Sequence, residues 1–197
     1  MGVTDMGPSV KGAILQMAVE AVNQAIEEGR ISEEEVAVGL QAEDLRLLDE
    51  KILVGGWYPV DSFDRLVLLS SGPRVAEDPN FLVRQGRRAA DQLLGNQIYR
   101  RFNETIEERG DQGGAPMLTL AQLMMNFSSW ELRYETNDKS HFVIEVTEAG
   151  PMPDVLRYTA QGFIERVAEL MVGGPIEVTS ERPDPDRVTF VGRPAEA

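Results

Sequence analysis

The 197-residue chain contains no cysteine and a single histidine, His141. Without cysteine there are no disulfides, thiolate nucleophiles, iron–sulfur clusters or cysteine zinc sites. One imidazole is too few for an ordinary zinc, copper or non-haem iron site, and serine–histidine–aspartate chemistry would have to run through His141 alone. The G-x-S-x-G, G-x-x-x-x-G-K-[ST] and G-x-G-x-x-G motifs are missing too. No metal, no cofactor and no enzymatic activity are expected. Basic residues are scarce, 19 against 33 acidic ones, for a net charge of −14. Binding to nucleic acid or to an anionic membrane surface relies on lysine and arginine, so neither partner is expected. No apolar run approaches the roughly 18–20 residues of a membrane span. The start, MGVTDMGPSVKG, has no basic region ahead of an apolar one, and a cytoplasmic location is expected.

What is present is periodic. With 42% hydrophobic residues the chain can bury a sizeable core. Residues 1–8 read as a loose leader, 9–192 as one domain and 193–197 as a tail. After a Ser9 cap, apolar residues from Val10 to Ile26 recur at helical spacing, and Gly29 stops them. Ser32 and Glu35 form a capping box for a short helix. Ala42–Val54 predicts another, with Leu45, Leu48, Ile52 and Leu53 inward. Gly55 and Gly56 break the chain, and Trp57-Tyr58-Pro59 reads as the joint to the next helix. Residues 70–78 are expected as loop. Asp78-Pro79 opens a long helix to about Arg109, interrupted by Gly86 and Gly95; such glycines mark places where another backbone or a ligand comes close. A loop, Gly110–Pro116, and a helix over Leu118–Asn126 follow.

The period then changes to two: Trp130, Leu132 and Tyr134 alternate with Glu131, Arg133 and Glu135, a half-buried strand. His141–Thr147 returns. Asp154 opens a helix with Leu156, Ala160, Phe163, Val167 and Leu170 on one face, ended by Gly173-Gly174-Pro175. Ile176–Ser180 and Arg187–Val191 form a second hairpin. The expected class is α+β: an N-terminal helical part, then a small antiparallel sheet of two β-hairpins joined by a helix.

Val10-Lys11-Gly12 at a helix head, the Trp57-Tyr58-Pro59 break and Gly86-Arg87-Arg88-Ala89 occur here in a distinctive order. The Trp130…Tyr134 strand, Gly173-Gly174 and the closing hairpin complete it. Together they resemble a paralogous family of unknown function abundant in myxobacteria. That family is related to haem–nitric-oxide-binding domains, four-vinyl-reductase-like domains and subunits of TRAPP tethering complexes. The resemblance implies an α+β ligand-binding or assembly domain, often a homodimer. The haem-binding branch uses a helical histidine and a Tyr-x-Ser-x-Arg clamp; this chain has neither. The cysteines of the four-vinyl-reductase-like branch are replaced by Glu181-Arg-Pro-Asp-Pro-Asp-Arg187.

Two function classes follow as expectations. One is a non-enzymatic, sensor-like domain holding a small apolar or aromatic molecule between helices and sheet, lined by Trp57, Tyr58, Phe63, Trp130 and Tyr134. Such aromatics serve equally as core anchors. The other is an assembly subunit of a TRAPP-like or signalling complex, with a protein partner and no ligand. Arg84 and Arg88, four apart on a helix, are candidates to meet a ligand carboxylate or an acidic partner surface; pairing with nearby acids is the simpler alternative.

Overall fold

A computed structural model describes residues 7–72, 74–78, 80–95, 121–137 and 139–195. The expected helix beyond Gly95, the Gly110–Pro116 loop and the first part of Leu118–Asn126 lie outside them. Two compact units divide the chain, Met1–Asp78 with Met124–Phe127 and Pro79–Leu123 with Ser128–Ala197.

In the first unit, β1 (Ser9–Lys11) leads into α1 (Gly12–Glu27). Then come α2 (Glu33–Gly39), α3 (Ala42–Asp49), β2 (Trp57–Pro59), α4 (Val60–Ser71) and α5 (Arg74–Glu77). β1 and β2 pair antiparallel, Val10 opposite Tyr58 and Lys11 opposite Trp57. Two expectations are corrected here. Ser9–Lys11 is a strand, not the first turn of a helix, and Trp57-Tyr58-Pro59 is its partner strand, with Pro59 at the N-cap of α4. The close approach that lets them pair is made by Gly12. Its N–H donates to Gly56 O at 3.0 Å, and a Cβ there would sit 2.0 Å from Leu53 O. The Ser9 N–H is taken by Asn126 Oδ1 at 2.6 Å, and Val10 bridges to Met125, so residues 124–127 return to this unit.

The capping box at α2 is formed as expected, Glu35 N–H to Ser32 Oγ and Ser32 N–H to the Glu35 carboxylate. Helix α3 is shorter than its apolar pattern implied, ending at Asp49. Only Ile52 of the following residues turns inward, and Leu53 is 63% exposed. Helix α4 carries on to Ser71, and α5 occupies part of the stretch expected as loop. Val10, Leu15, Val22, Val60, Phe63 and Leu66 form the core. Each contributes about 1.5–3 kcal/mol by burial.

In the second unit, α6 (Asn80–Gly95) is followed by β3 (Ser129–Tyr134), β4 (Phe142–Thr147), α7 (Asp154–Val172), β5 (Ile176–Asp184) and β6 (Arg187–Pro194). The sheet is antiparallel in the order β3-β4-β6-β5. Two hairpins joined by a helix is the arrangement the period change implied. Alternation puts Trp130, Ile144, Val146, Val178, Val188 and Phe190 on the buried face. The other face carries Arg133 and Arg187, both paired with Glu145.

Helix α7 buries Val155, Leu156, Gly162, Ile164, Val167 and Ala168. This face is rotated from the apolar set expected, and Leu170 is largely exposed. The rotation is required by the crossing with α6. A Cβ on Gly86 would lie 1.9 Å from Thr159 O, and one on Gly162 would lie 1.8 Å from Val83 O. The two helix backbones therefore touch, as the glycine in α6 suggested. Arg87 locks the crossing with bonds to Glu165 and Glu169, and Arg166 joins Asp91 at 2.7 Å.

β5 is an edge strand, and α7 covers its outer backbone groups. Gln161 Nε2 donates to Val178 O at 2.7 Å, Val178 N–H donates to Glu165 at 3.1 Å, and the buried Arg157 donates to Ser180 O at 3.0 Å. Such a clasp blunts a row of groups that would otherwise template strand addition. A Gln161→Leu, Arg157→Leu double variant is expected to lose about 2–4 kcal/mol in urea denaturation, since each buried acceptor left unpaired costs about 1–3 kcal/mol. It is also expected to scatter light at concentrations where the parent stays clear.

Among the described residues, no helix is long and apolar enough to cross a membrane.

Candidate functional site

Of the five aromatic candidates, Trp57, Tyr58 and Phe63 lie in the first unit and Trp130 and Tyr134 in the second. Their surroundings differ. Phe63 is buried in the core of α4. Tyr58 is half-buried, and its hydroxyl accepts the Leu53 N–H at 2.9 Å, fastening the turn that precedes β2. Trp57 is half-buried under Lys11, whose Nζ sits 3.7 Å from the ring centroid and also donates to Gly55 O at 3.0 Å. That places a cation on the ring face, an arrangement of about 0.5–1 kcal/mol at exposed sites. Trp130 is buried, stacked on Phe190 with centroids 5.8 Å apart, and its Nε1–H donates to Ser128 Oγ at 2.9 Å.

Tyr134 borders a small cavity between the β3–β4 end of the sheet and the last turn of α7. Leu132, Phe142, Ala168, Met171 and Val172 line it, with Lys139 at the side. At about 10 Å³ it admits no more than a single water. Its walls are apolar, and Met171 is an unbranched thioether that repacks readily.

Arg84 and Arg88 are both exposed on α6, four residues apart, with the engaged Arg87 between them. His141 is in the bend before β4, half-buried, with Nδ1 3.1 Å from Ser140 Oγ. The lining of the Tyr134 cavity does not include it.

Sequence reasoning passed over two features of the first unit. The first is Asp44, a fully buried carboxylate. It lies at the third position of α3, where its Oδ2 accepts the Gln41 N–H at 2.9 Å. From α4, Arg65 reaches it with two bonds, Nε to Oδ2 at 2.5 Å and Nη2 to Oδ1 at 3.0 Å. Burial alone would raise the Asp44 carboxyl. Hydrogen bonds from Arg65, Ser62 and the Gln41 backbone outweigh it and hold the group below the ordinary aspartate value. The spacing Gln41-x-x-Asp44 is a capping pattern and was the available signal.

The second is an open groove between α2 and the C-terminal half of α4, about 630 Å³ in volume. Ile31, Val38, Leu68 and Leu69 form its apolar part, with Glu34 and Arg74 on the rim. Val38 is 83% exposed and Leu68 47%. No sequence signal marks it, because it exists only in the spacing of two helices.

A haem held by histidine or cysteine does not fit this donor set. The chain has no cysteine, and its one imidazole sits in a hairpin bend beside Ser140. Among the described residues no three histidine, aspartate or glutamate side chains gather as a metal site needs.

No family model matches the chain, and no curated protein is significantly similar to it. Solved structures are. The Fe(II) unliganded H-NOX protein from K. algicida superposes with a TM-score of 0.62 at 12% identity, over 95% of this chain and 97% of that one. A point mutant of T. Tengcongensis H-NOX gives 0.57 at 12% identity, over 94% and 98%. A structure concerned with haem distortion in the H-NOX family gives 0.57 at 13% identity, over 95% and 97%. From end to end, this chain has the α+β fold of the H-NOX domains.

Proposed function

We propose that this chain is a non-enzymatic, sensor-like domain that binds a small apolar or aromatic molecule. The observation that carries the reading is the end-to-end likeness to H-NOX structures, which are described with Fe(II) and haem. A fold that holds such a group there supports a ligand-holding role here. The ligand differs from a histidine-bound haem, because the donor set departs. The apolar walls beside Tyr134, with Met171 able to yield, favour a guest in the second unit whose buried part is apolar. Arg84 and Arg88, exposed on one side of α6, would meet a ligand carboxylate or an acidic partner surface.

Native mass spectrometry of gently purified protein, beside a denatured control, tests this. A retained adduct that disappears on denaturation is the expected result, and its mass begins to identify the ligand. A bare monomer contradicts the binding role. A bare dimer favours the second reading, an assembly subunit, to which the exposed Val38 and Leu68 lend weight.

A further inference from the structure

We infer that the groove between α2 and α4 is a docking site for a short basic amphipathic helix of a partner protein. This goes beyond the small-molecule reading and does not depend on it. The groove has an apolar floor and an acidic flank. Its floor is satisfied in its polar needs: Ser70 Oγ donates to Val67 O at 3.1 Å and Gly72 N–H to Leu68 O at 3.1 Å. What is left facing outward is hydrocarbon, chiefly Val38 and Leu68. Exposed apolar groups collected in a trough, rather than scattered, mark an interaction surface.

The charges around it set the sign of the partner. Glu33 and Glu34 are exposed on α2, and neither makes an ion pair among the described residues. Glu35 is occupied by Ser32, and Arg30 is neutralised by Glu28 at 2.6 Å. Arg74 is the one further cation on the rim, at the α5 end. The flank along α2 is thus negative, in a chain of net charge −14. A second copy of this chain is a poor occupant, since it would bring the same negative charge. A helix with an apolar stripe and lysine or arginine beside it matches both the floor and the flank. The seven residues of α2 span about 10 Å at 1.5 Å per residue, so the contact covers about two turns of the guest.

The test uses a fluorescein-labelled helical peptide of leucine and lysine with its leucines on one face. A scrambled peptide of the same composition, with the same charge and no apolar face, is the control. Fluorescence anisotropy on the full chain is expected to show at least tenfold tighter binding of the patterned peptide. Val38→Asp is the decisive variant. It adds negative charge, so mere electrostatic adsorption would tighten. Docking in the groove weakens at least tenfold. Val38 is exposed, so the fold is not at stake, and an unchanged urea midpoint checks this. Glu34→Lys is expected to weaken binding severalfold. Equal binding of the scrambled peptide, or tighter binding by Val38→Asp, overturns the proposal. So does a dimer of the free protein that Val38→Asp dissociates, because the groove would then hold a second copy.

Discussion

A Gly162→Ala variant is expected to unfold at markedly lower urea concentration than the parent, by about 3 kcal/mol or more. Helix propensity alone gives the opposite sign, since alanine is better than glycine inside a helix by about 1 kcal/mol. Geometry decides. The new methyl would lie 1.8 Å from the carbonyl oxygen of Val83, and that neighbour is backbone, not a side chain able to swing aside. Helices α6 and α7 would have to separate, loosening the packing of Leu82, Ala90 and Val167 and stretching the Arg87 bonds to Glu165 and Glu169. At about 2–4 °C per kcal/mol for a chain of this size, the melting temperature should fall by about 6–12 °C. Gly86→Ala is expected to act alike, with 1.9 Å to Thr159 O. The double variant should lose less than the sum, because helices parted for one methyl already have room for the other. A stabilised Gly162→Ala protein would show that the crossing is wider than described.

The second large effect centres on Asp44. Asp44→Ala is expected to lose about 3–5 kcal/mol at neutral pH, the range seen when one member of a buried pair is removed. The variant removes both Arg65 bonds to Asp44, leaving the guanidinium a single carboxylate bond, to the exposed Glu43 at 3.0 Å, and it leaves the Gln41 N–H without its cap. Because the folded protein holds Asp44 below its ordinary value, the contribution is fully present above the unfolded value and fades as pH falls through the depressed one. Urea titrations from pH 7 to pH 2 should therefore show the parent losing stability in acid. Asp44→Asn should lack this part of the acid dependence and draw level with the parent at the acid end. Arg65→Met carries the opposite sign for the group itself. With the cation gone, burial is less opposed and the Asp44 carboxyl moves upward, so this variant is expected to be weaker at neutral pH but to lose less stability than the parent as pH falls.

Much of the second unit was legible in the residues, because its signals are local. Trp130, Leu132 and Tyr134 alternate as a strand with one buried face must, and Gly173, with φ of +74°, ends α7 where a left-handed residue was needed. The capping box at Ser32 and Glu35 is likewise written within four residues. The errors share a cause, which is dependence on distant partners. Val10 falls in phase with the apolar stripe of α1, and only pairing with Tyr58 makes it a strand. Leu53 continues the stripe of α3, yet the turn fastened by Tyr58 pulls it outward. Gly162 was passed over on α7 because it adds nothing to an apolar pattern, although it sets which face of the helix packs. Of the candidate site, the aromatics could be picked out by type. Their roles depend on neighbours such as Phe190 and Lys11, which no spacing announces. Asp44 looked like one more acid among many until burial distinguished it.

The bond from Ser9 to Asn126 bears on how the chain comes off the ribosome. The first unit is not complete when Asp78 has been made, since residues 124–127 belong to it as well. At about 5–20 residues per second, translation imposes a wait of several seconds before that segment exists. Throughout it, β1 has β2 on one side and lacks Met125 on the other. Contacts closing so long a loop are late and slow to form. The outer edge of β1 therefore stays unpaired through that interval, and slowing translation between codons 78 and 127 should lengthen it.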